Sequence, residues 1–183
     1  MKYNYMKILV VIPTYNEVDN VKKIVPATLE AFNQMPHHEC HILVVDGNSP
    51  DGTGEAVREL SRNYPNVHLL MEKEKTGLGG AYIYAFKYAM QNLYPDVIVE
   101  MDADFQHNPN DLPRLVAKID RGYDYVIGSR FAKGGSIPKE WGLSRKFWSV
   151  GGNIFSKVVL GIYSVSDFTS GFKANRVKNY LDR

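Results

Sequence analysis

The feature that most constrains this chain is one recurring pattern: a short apolar run, a polar turn, then a stretch with helical spacing. Ile8 to Ile12 is the first run, stopped by Pro13, and Val21, Ile24, Val25, Leu29 and Phe32 follow at helical intervals. Ile42 to Val45 is the second run and ends at Asp46. Ser49-Pro50 after it reads as a helix N-cap with proline at the first helical position. Val67 to Met71 is a third run, and Leu78, Ala81, Tyr82, Ala85, Phe86, Ala89 and Met90 keep one apolar face through four turns. Val97 to Met101 is a fourth, and Asn108-Pro109 opens a helix carrying Leu112, Leu115, Val116 and Ile119. Tyr125 to Ile127 is a fifth. Strands alternating with helices in this way predict an α/β domain with a largely parallel sheet.

After Gly128 the alternation stops. Residues 130–146 are rich in glycine and charge and read as a long loop, a type of segment that is often functional. Arg130, Lys133, Lys139, Arg145, Lys146 and Lys157 are opposed there only by Glu140. Such a stretch suits an anion or an anionic membrane surface, or it is simply a solvated basic face. Phe147 to Val165 reads as a helix packed on the domain or lying at a membrane interface, with the packed arrangement favoured.

Length and composition fit a single ordinary domain: 183 residues, 44% hydrophobic and 23% charged. A net charge of +2 does not suggest a nucleic-acid binder. Cys40 is the only cysteine, which excludes a disulfide framework and a cysteine metal site and points to a reducing cytoplasm. The first seven residues lack the apolar stretch of a signal peptide, and no run of about 18 apolar residues could span a bilayer.

In an open α/β sheet, ligands bind beyond the carboxyl ends of the strands. Three polar segments fall there: Pro13 to Glu17, Asp46 to Gly52 and Asp102 to His107. Asp102 and Asp104, one residue apart at a strand end, can point the same way, and Gln106 continues the spacing. Hard oxygen ligands of this kind suit Mg²⁺ or Mn²⁺ bridging to a diphosphate. An Asp-x-Asp pair can also cap a helix or shape a turn. Its place behind an apolar strand, with Gln106 and His107 following, favours the metal. Gly77-Leu78-Gly79-Gly80 fails as a dinucleotide fingerprint, because Tyr82 stands where the third glycine belongs; close packing of a helix start explains it better. His37 and His38 read as solvated, and no Ser-His-Asp or Cys-His arrangement can be argued from the spacings.

Taken in order, Pro-Thr-Tyr-Asn-Glu at 13–17, Asn-Ser-Pro-Asp-Gly-Thr at 48–53, Gly-Leu-Gly at 77–79, Asp-Ala-Asp-Phe-Gln-His at 102–107 and Gly-Ser-Arg at 128–130 form a specific set. Trp141, Arg145 and Ser149 follow, then Asp167 before Ser-Gly-Phe at 170–172. Over nearly its whole length the chain resembles the polyprenol-phosphate (dolichol-phosphate) mannose synthases of glycosyltransferase family 2. The resemblance implies a GT-A fold, a Rossmann-like, mostly parallel sheet flanked by helices, in one catalytic domain covering 1–183. It implies inverting, metal-dependent transfer of mannose from GDP-mannose to a polyprenyl monophosphate, at the cytoplasmic face of a membrane that the protein touches peripherally. Pro13, Tyr15, Glu17, Val45 and Asp46 would line the nucleotide pocket. Asp102, Ala103 and Asp104 would meet the diphosphate and the Mg²⁺ or Mn²⁺, with Asp102, Asp104 and Gln106 as ligands. Arg130, Arg145 and Ser149 would hold the acceptor's or donor's phosphates and, with Asp104, carry catalysis.

Two departures stand out. Such proteins usually carry paired acidic residues after the second strand, commonly in contact with the nucleotide, whereas here Gly47 follows Asp46. The chain also stops at Arg183, before the C-terminal extension usual in the family. The alternatives are a related transferase using UDP-glucose or another nucleotide sugar, and a nucleotide-binding module without turnover.

Overall fold

A computed structural model describes residues 5–132 and 142–181, excluding the side chains of 143–147, 179 and 181. Its elements are β1 (Lys7–Thr14), α1 (Val18–Phe32), β2 (Glu39–Asp46), α2 (Thr53–Asn63), β3 (Val67–Met71), α3 (Leu78–Asn92) and β4 (Val97–Glu100). There follow a 3-10 turn (Pro109–Asp111), α4 (Leu112–Asp120), β5 (Tyr125–Ile127), α5 (Leu143–Leu160), β6 (Lys173–Arg176) and α6 (Lys178–Leu181).

One six-stranded sheet runs in the order β3-β2-β1-β4-β6-β5. β1 pairs in parallel with β2 and β4, and β2 with β3, while β6 is antiparallel to both neighbours. The apolar runs are continuous because the strands are covered on both faces. Alternation then sorts them: Ile8, Val10, Ile12, Ile42 and Val44 join α1, α2 and α4 on one side, and Leu9, Val11, Leu43 and Val45 meet α3 on the other. α3 buries Ala81, Ala85 and Ala89, side chains small enough to bring the helix close to the sheet. Chain order reverses between β1 and β4, and this switch point opens a crevice at their carboxyl ends.

The expected α/β architecture is the one observed, with four corrections. Ser49-Pro50 does not cap α2; the helix begins at Thr53 behind Gly52, and Ser49 belongs to the preceding turn. The last long helix is α5, which starts before Phe147 and ends at Gly161 in the left-handed conformation (φ 65°). It is not packed into the core, since Trp148, Ile154, Phe155, Val158, Val159 and Leu160 are exposed. His38 is not solvated: its side chain is covered and its Nε2 lies 3.3 Å from Asp120 Oδ2. Among the described residues, β6 was not anticipated, because Lys-Ala-Asn-Arg contains a single apolar residue, Ala174, and no run.

Candidate active site

Each of the three polar segments turns on a non-glycine residue in the left-handed region: Asn16 (φ 58°), Asn48 (φ 58°) and Phe105 (φ 61°). Asparagine tolerates this conformation; phenylalanine rarely adopts it, so the turn between Asp104 and Gln106 is a strained one.

The first two segments lock to each other. Backbone N–H groups of Asn16, Glu17 and Val18 donate to Ser49 Oγ (2.9 Å), Thr53 Oγ1 (2.9 Å) and Asp51 Oδ2 (3.1 Å). The start of α1 is thus capped by side chains of the β2–α2 loop and of the first residue of α2. Asp46 anchors that loop from below. It is fully buried and accepts from Ser49 N (2.9 Å), Ser49 Oγ (2.6 Å) and Thr14 Oγ1 (3.1 Å). Val45 is equally buried and packs toward α3. Neither side chain reaches the surface of the crevice. Pro13 and Tyr15 do: with Thr14, Gly47, Glu72, Lys75, Gly77, Leu78 and Ala81 they line a cleft of about 170 Å³. Lys75 Nζ sits 3.6 Å from the centre of the Tyr15 ring, a cation–π contact. Glu17 lies at the entrance to α1, where its carboxylate accepts from Asn20 Nδ2.

At the end of β4 stand Asp102, Ala103 and Asp104. Ala103 is buried, while the Asp104 carboxylate accepts from Gln106 N (3.0 Å) and Gln106 Nε2 (2.6 Å). Burial raises the Asp102 pKa; the nearby His107 pulls it down and Asp104 pushes it up again. His107 Nδ1 accepts from Asp102 N (3.0 Å) and lies 3.6 Å from Asp102 Oδ2, which leaves the ring proton on Nε2. Burial lowers the His107 pKa, so the ring is held toward its neutral form and cannot fully offset the carboxylates. Gly171 makes this packing possible, since a Cβ there would come within 3.1 Å of His107 Cε1 and 3.4 Å of Asp102 Oδ2. Two carboxylates at a strand end, one poorly solvated and repelled by the other, form a donor set that a divalent cation fits. No third His, Cys, Asp or Glu joins them in a preformed cluster among the described residues.

Arg130 follows β5 and is fixed by Asp167. Its Nε and Nη2 each donate to the Asp167 carboxylate at 2.8 Å, its N–H does so at 3.2 Å, and Nη2 also reaches Thr169 Oγ1. Burial would raise the Asp167 pKa, but the hydrogen bonds and charge of Arg130 win and hold it below the usual value. Asn153 on α5 clasps the same loop: its Nδ2 donates to Ser166 O (2.7 Å) and its Oδ1 accepts from Phe168 N (3.0 Å). Ser149, one turn earlier, has a buried Oγ with no hydrogen-bond partner among the described residues. Trp141 and the side chain of Arg145 lie outside the described residues.

The sequence reading did not single out Glu72, Lys75, Asn153 or Thr169. Glu72 had a readable signal, being the polar residue directly after the third strand. Asn153 and Thr169 had none, because their roles exist only once α5 meets the 166–169 loop.

A core of α/β strands with a carboxylate pair at its switch point defines a class. The model of the family described as glycosyl transferase family 2 matches residues 9–181, and the chain belongs to that family. It is 42% identical over 171 residues to an undecaprenyl-phosphate mannosyltransferase of Micrococcus luteus, covering 93% of this chain and 67% of the relative. It is also 42% identical over 172 residues to a polyprenol monophosphomannose synthase of Mycolicibacterium smegmatis, and 41% identical over 172 residues to a dolichol-phosphate mannosyltransferase of Pyrococcus furiosus. Those matches cover 92% and 93% of this chain but 61% and 46% of the relatives, so the chain spans about half to two thirds of their length. Two solved structures share the GT-A fold. One is a Pyrobaculum calidifontis mannosyltransferase in complex with GDP-Man and Mn²⁺ (20% identity, TM-score 0.64, 98% of this chain and 47% of that one). The other is a mannosyl-3-phosphoglycerate synthase from Rubrobacter xylanophilus (19% identity, TM-score 0.65, 93% of this chain and 54% of that one).

Proposed function

We propose that this chain is the catalytic part of an inverting transferase that moves mannose from GDP-mannose to a polyprenyl monophosphate. The observation that carries the reading is the Asp102–Asp104 pair at the sheet's switch point, between the Tyr15–Glu72 cleft and the Arg130 clasp. The nucleotide would lie in the cleft, with Pro13 and Tyr15 against it, and its diphosphate would extend toward β4. Val45 and Asp46 would support the pocket wall from beneath, and Glu17 would shape its rim. Bound between Asp102 and Asp104, Mg²⁺ or Mn²⁺ would neutralise charge building on the leaving diphosphate. Gln106 would steady Asp104 by its two hydrogen bonds or add an oxygen ligand. Ala103, buried between the two acids, would keep the strand end close to the diphosphate.

The acceptor side asks little of a general base. A phosphate monoester has a second pKa near 6 and is already anionic at neutral pH. Positioning and charge neutralisation are the remaining requirements. Arg130 meets them, because Asp167 fixes its guanidinium before any ligand arrives. The unpartnered Ser149 Oγ and Arg145 would complete the phosphate site. No helix among the described residues is long and apolar enough to cross a membrane. The exposed apolar residues of α5 support peripheral contact with the cytoplasmic face that presents the lipid.

Thermal shift with GDP-mannose, GDP, UDP-glucose and UDP, each with Mn²⁺ and with chelator, tests this. The reading expects a rise in melting temperature for the guanosine ligands that chelator removes. Asp104→Ala should lower transfer about a hundredfold or more, since a metal at a developing charge is worth several kcal/mol. A uridine-selective shift would replace the donor; no shift with any nucleotide would sink the reading.

A further inference from the structure

Glu72 is a buried acid that the mechanism above does not use. It follows β3 and continues the ladder one step, its N–H donating to Asp46 O (2.9 Å). The residue is 6% exposed, and it is the one acidic residue among those that line the cleft. One carboxylate oxygen, Oε1, accepts from Thr76 Oγ1 (2.5 Å). The other, Oε2, has no hydrogen-bond or ion-pair partner among the described residues. A carboxylate has about four acceptor positions, so most of its capacity is unspent. Glu72 lines the cleft, so water meets this remaining capacity until a ligand supplies donors in its place.

Two glycines hold this acid where it is. At Gly80, a Cβ would collide with the Thr76 side chain, so the missing methyl lets Thr76 tuck under the start of α3 and grip Oε1. At Gly47, a Cβ would stand 3.3 Å from Tyr15 Cδ2 and 3.4 Å from Glu72 Oε2. Its absence leaves open the space between the Tyr15 ring and Oε2. The cleft therefore has an aromatic edge on one side and a carboxylate held by Thr76 on the other, beyond the β2 and β3 ends, with β2 and β1 between Glu72 and the strand that leads to Asp102.

We infer that Glu72 reads the base of the donor nucleotide and selects guanine. This rests on the nucleotide-sugar reading of the cleft. Guanine offers two adjacent donors, N1–H and the 2-amino group, which match the acceptor-only carboxylate. Uracil offers one donor, N3–H, flanked by two carbonyl oxygens that a carboxylate repels. With Asp46 consumed by Ser49 and Thr14, and no side chain at 47, Glu72 supplies the acid that faces the base.

The test uses calorimetric titration of the whole chain with GDP, IDP and UDP in the presence of Mn²⁺. IDP lacks only the 2-amino group. The unmodified chain should bind GDP about tenfold more tightly than IDP, since one hydrogen bond to a charged acceptor is at stake. Glu72→Gln keeps the shape and the Thr76 contact but turns one acceptor into a donor. It should weaken GDP by tenfold or more and shrink the gap between GDP and IDP to about twofold. Retention of the original GDP-to-IDP ratio by Glu72→Gln would overturn the inference while leaving the nucleotide reading intact. Equal binding of GDP and IDP by the unmodified chain would overturn it without any variant. Failure of the unmodified chain to bind any nucleotide would overturn both readings.

Discussion

Between the β3-β2-β1-β4 body and the region from Gly128 to Phe172, the way a loop is held in place changes. In the body, Ile8 to Ile12, Ile42 to Val45 and Val97 to Val99 are 0 to 1% exposed, and Ser49, Asp51 and Thr53 tie down the backbone of the neighbouring segment at 16–18. Beyond Gly128 no comparable apolar layer exists among the described residues. There Asp167, wholly covered, binds Arg130 in a fork, Asn153 grips both sides of it, and α5 turns its large apolar residues outward. The first arrangement draws on buried area, which acts over many residues and is insensitive to any one loop. The second draws on a few charged hydrogen bonds, each of which matters singly. In the proposed reaction this places the donor site on the rigid part and the acceptor site on the part held by polar contacts.

The largest effect should come from the body. Ile42→Ala removes a fully buried side chain from the central layer and should cost about 3 kcal/mol or more in denaturant unfolding, across the whole domain. Arg130→Ala leaves the Asp167 charge without its partner and should cost about 2 kcal/mol, between the buried and exposed extremes for ion pairs. The two differ in reach as well as size. Hydrogen exchange after Arg130→Ala should quicken at residues 128–130 and 166–172 while β1 and β2 keep their protection. Uniform quickening across the sheet would erase the distinction between the two regions.

The same contrast explains what could be read in advance. Five strands and the helices α1, α3 and α4 were legible because each carries an apolar run or face of standard period, whereas α2 was read from a cap signal that does not cap it. The position of the Asp102–Asp104 pair, proposed above to hold the metal, was legible because both residues directly follow such a strand. β6 was not, since Lys173–Arg176 earns its place by backbone pairing between β4 and β5 and by the 3.9 Å contact of Lys173 with Glu100, not by hydrophobicity. The packing of α5 was misjudged for the opposite reason: its apolar residues satisfy a helical pattern without facing the core. Asp46, which the family resemblance assigns to the nucleotide pocket, has its carboxylate held inward by bonds to Ser49 and Thr14. Periodicity reports which residues are apolar; it does not say what lies on the other side of them.

α5 allows the comparison to be sharpened at little cost in stability. Trp148 is 74% exposed, Phe155 68% and Val158 63%. Replacing Ile154, Phe155 and Val158 together by serine should shift stability by no more than about 0.5 kcal/mol per site, as for other exposed positions. Binding to vesicles containing phosphatidylglycerol should drop severalfold, because the face proposed to enter the interface is gone. A fall in melting temperature with unchanged vesicle binding would mean that this face is covered within the protein and that the membrane role belongs elsewhere.

The smallest effect belongs to the end of the sheet farthest from the site. His41 Nδ1 and His68 Nε2 are 3.0 Å apart with their rings stacked, and His41 Nε2 lies 2.7 Å from Glu39 Oε1. Lys7 also meets Glu39 (3.1 Å), and Tyr5 donates to it (2.8 Å). One proton bridges the two imidazoles; a second would set two N–H groups against each other. Burial lowers the His68 pKa first, and the charges of His41 and Lys7 lower it further. A histidine whose pKa is lower folded than unfolded takes up more protons on unfolding, so stability rises with pH through that range. This contribution is full above the unfolded value of about 6.5 and is lost as pH falls below it. His68→Gln, which can still donate one hydrogen bond to His41, should therefore flatten the decline of melting temperature between about pH 7 and pH 5. An equal decline in both proteins would show that the imidazole pair accommodates the second proton and that acid sensitivity arises at other groups.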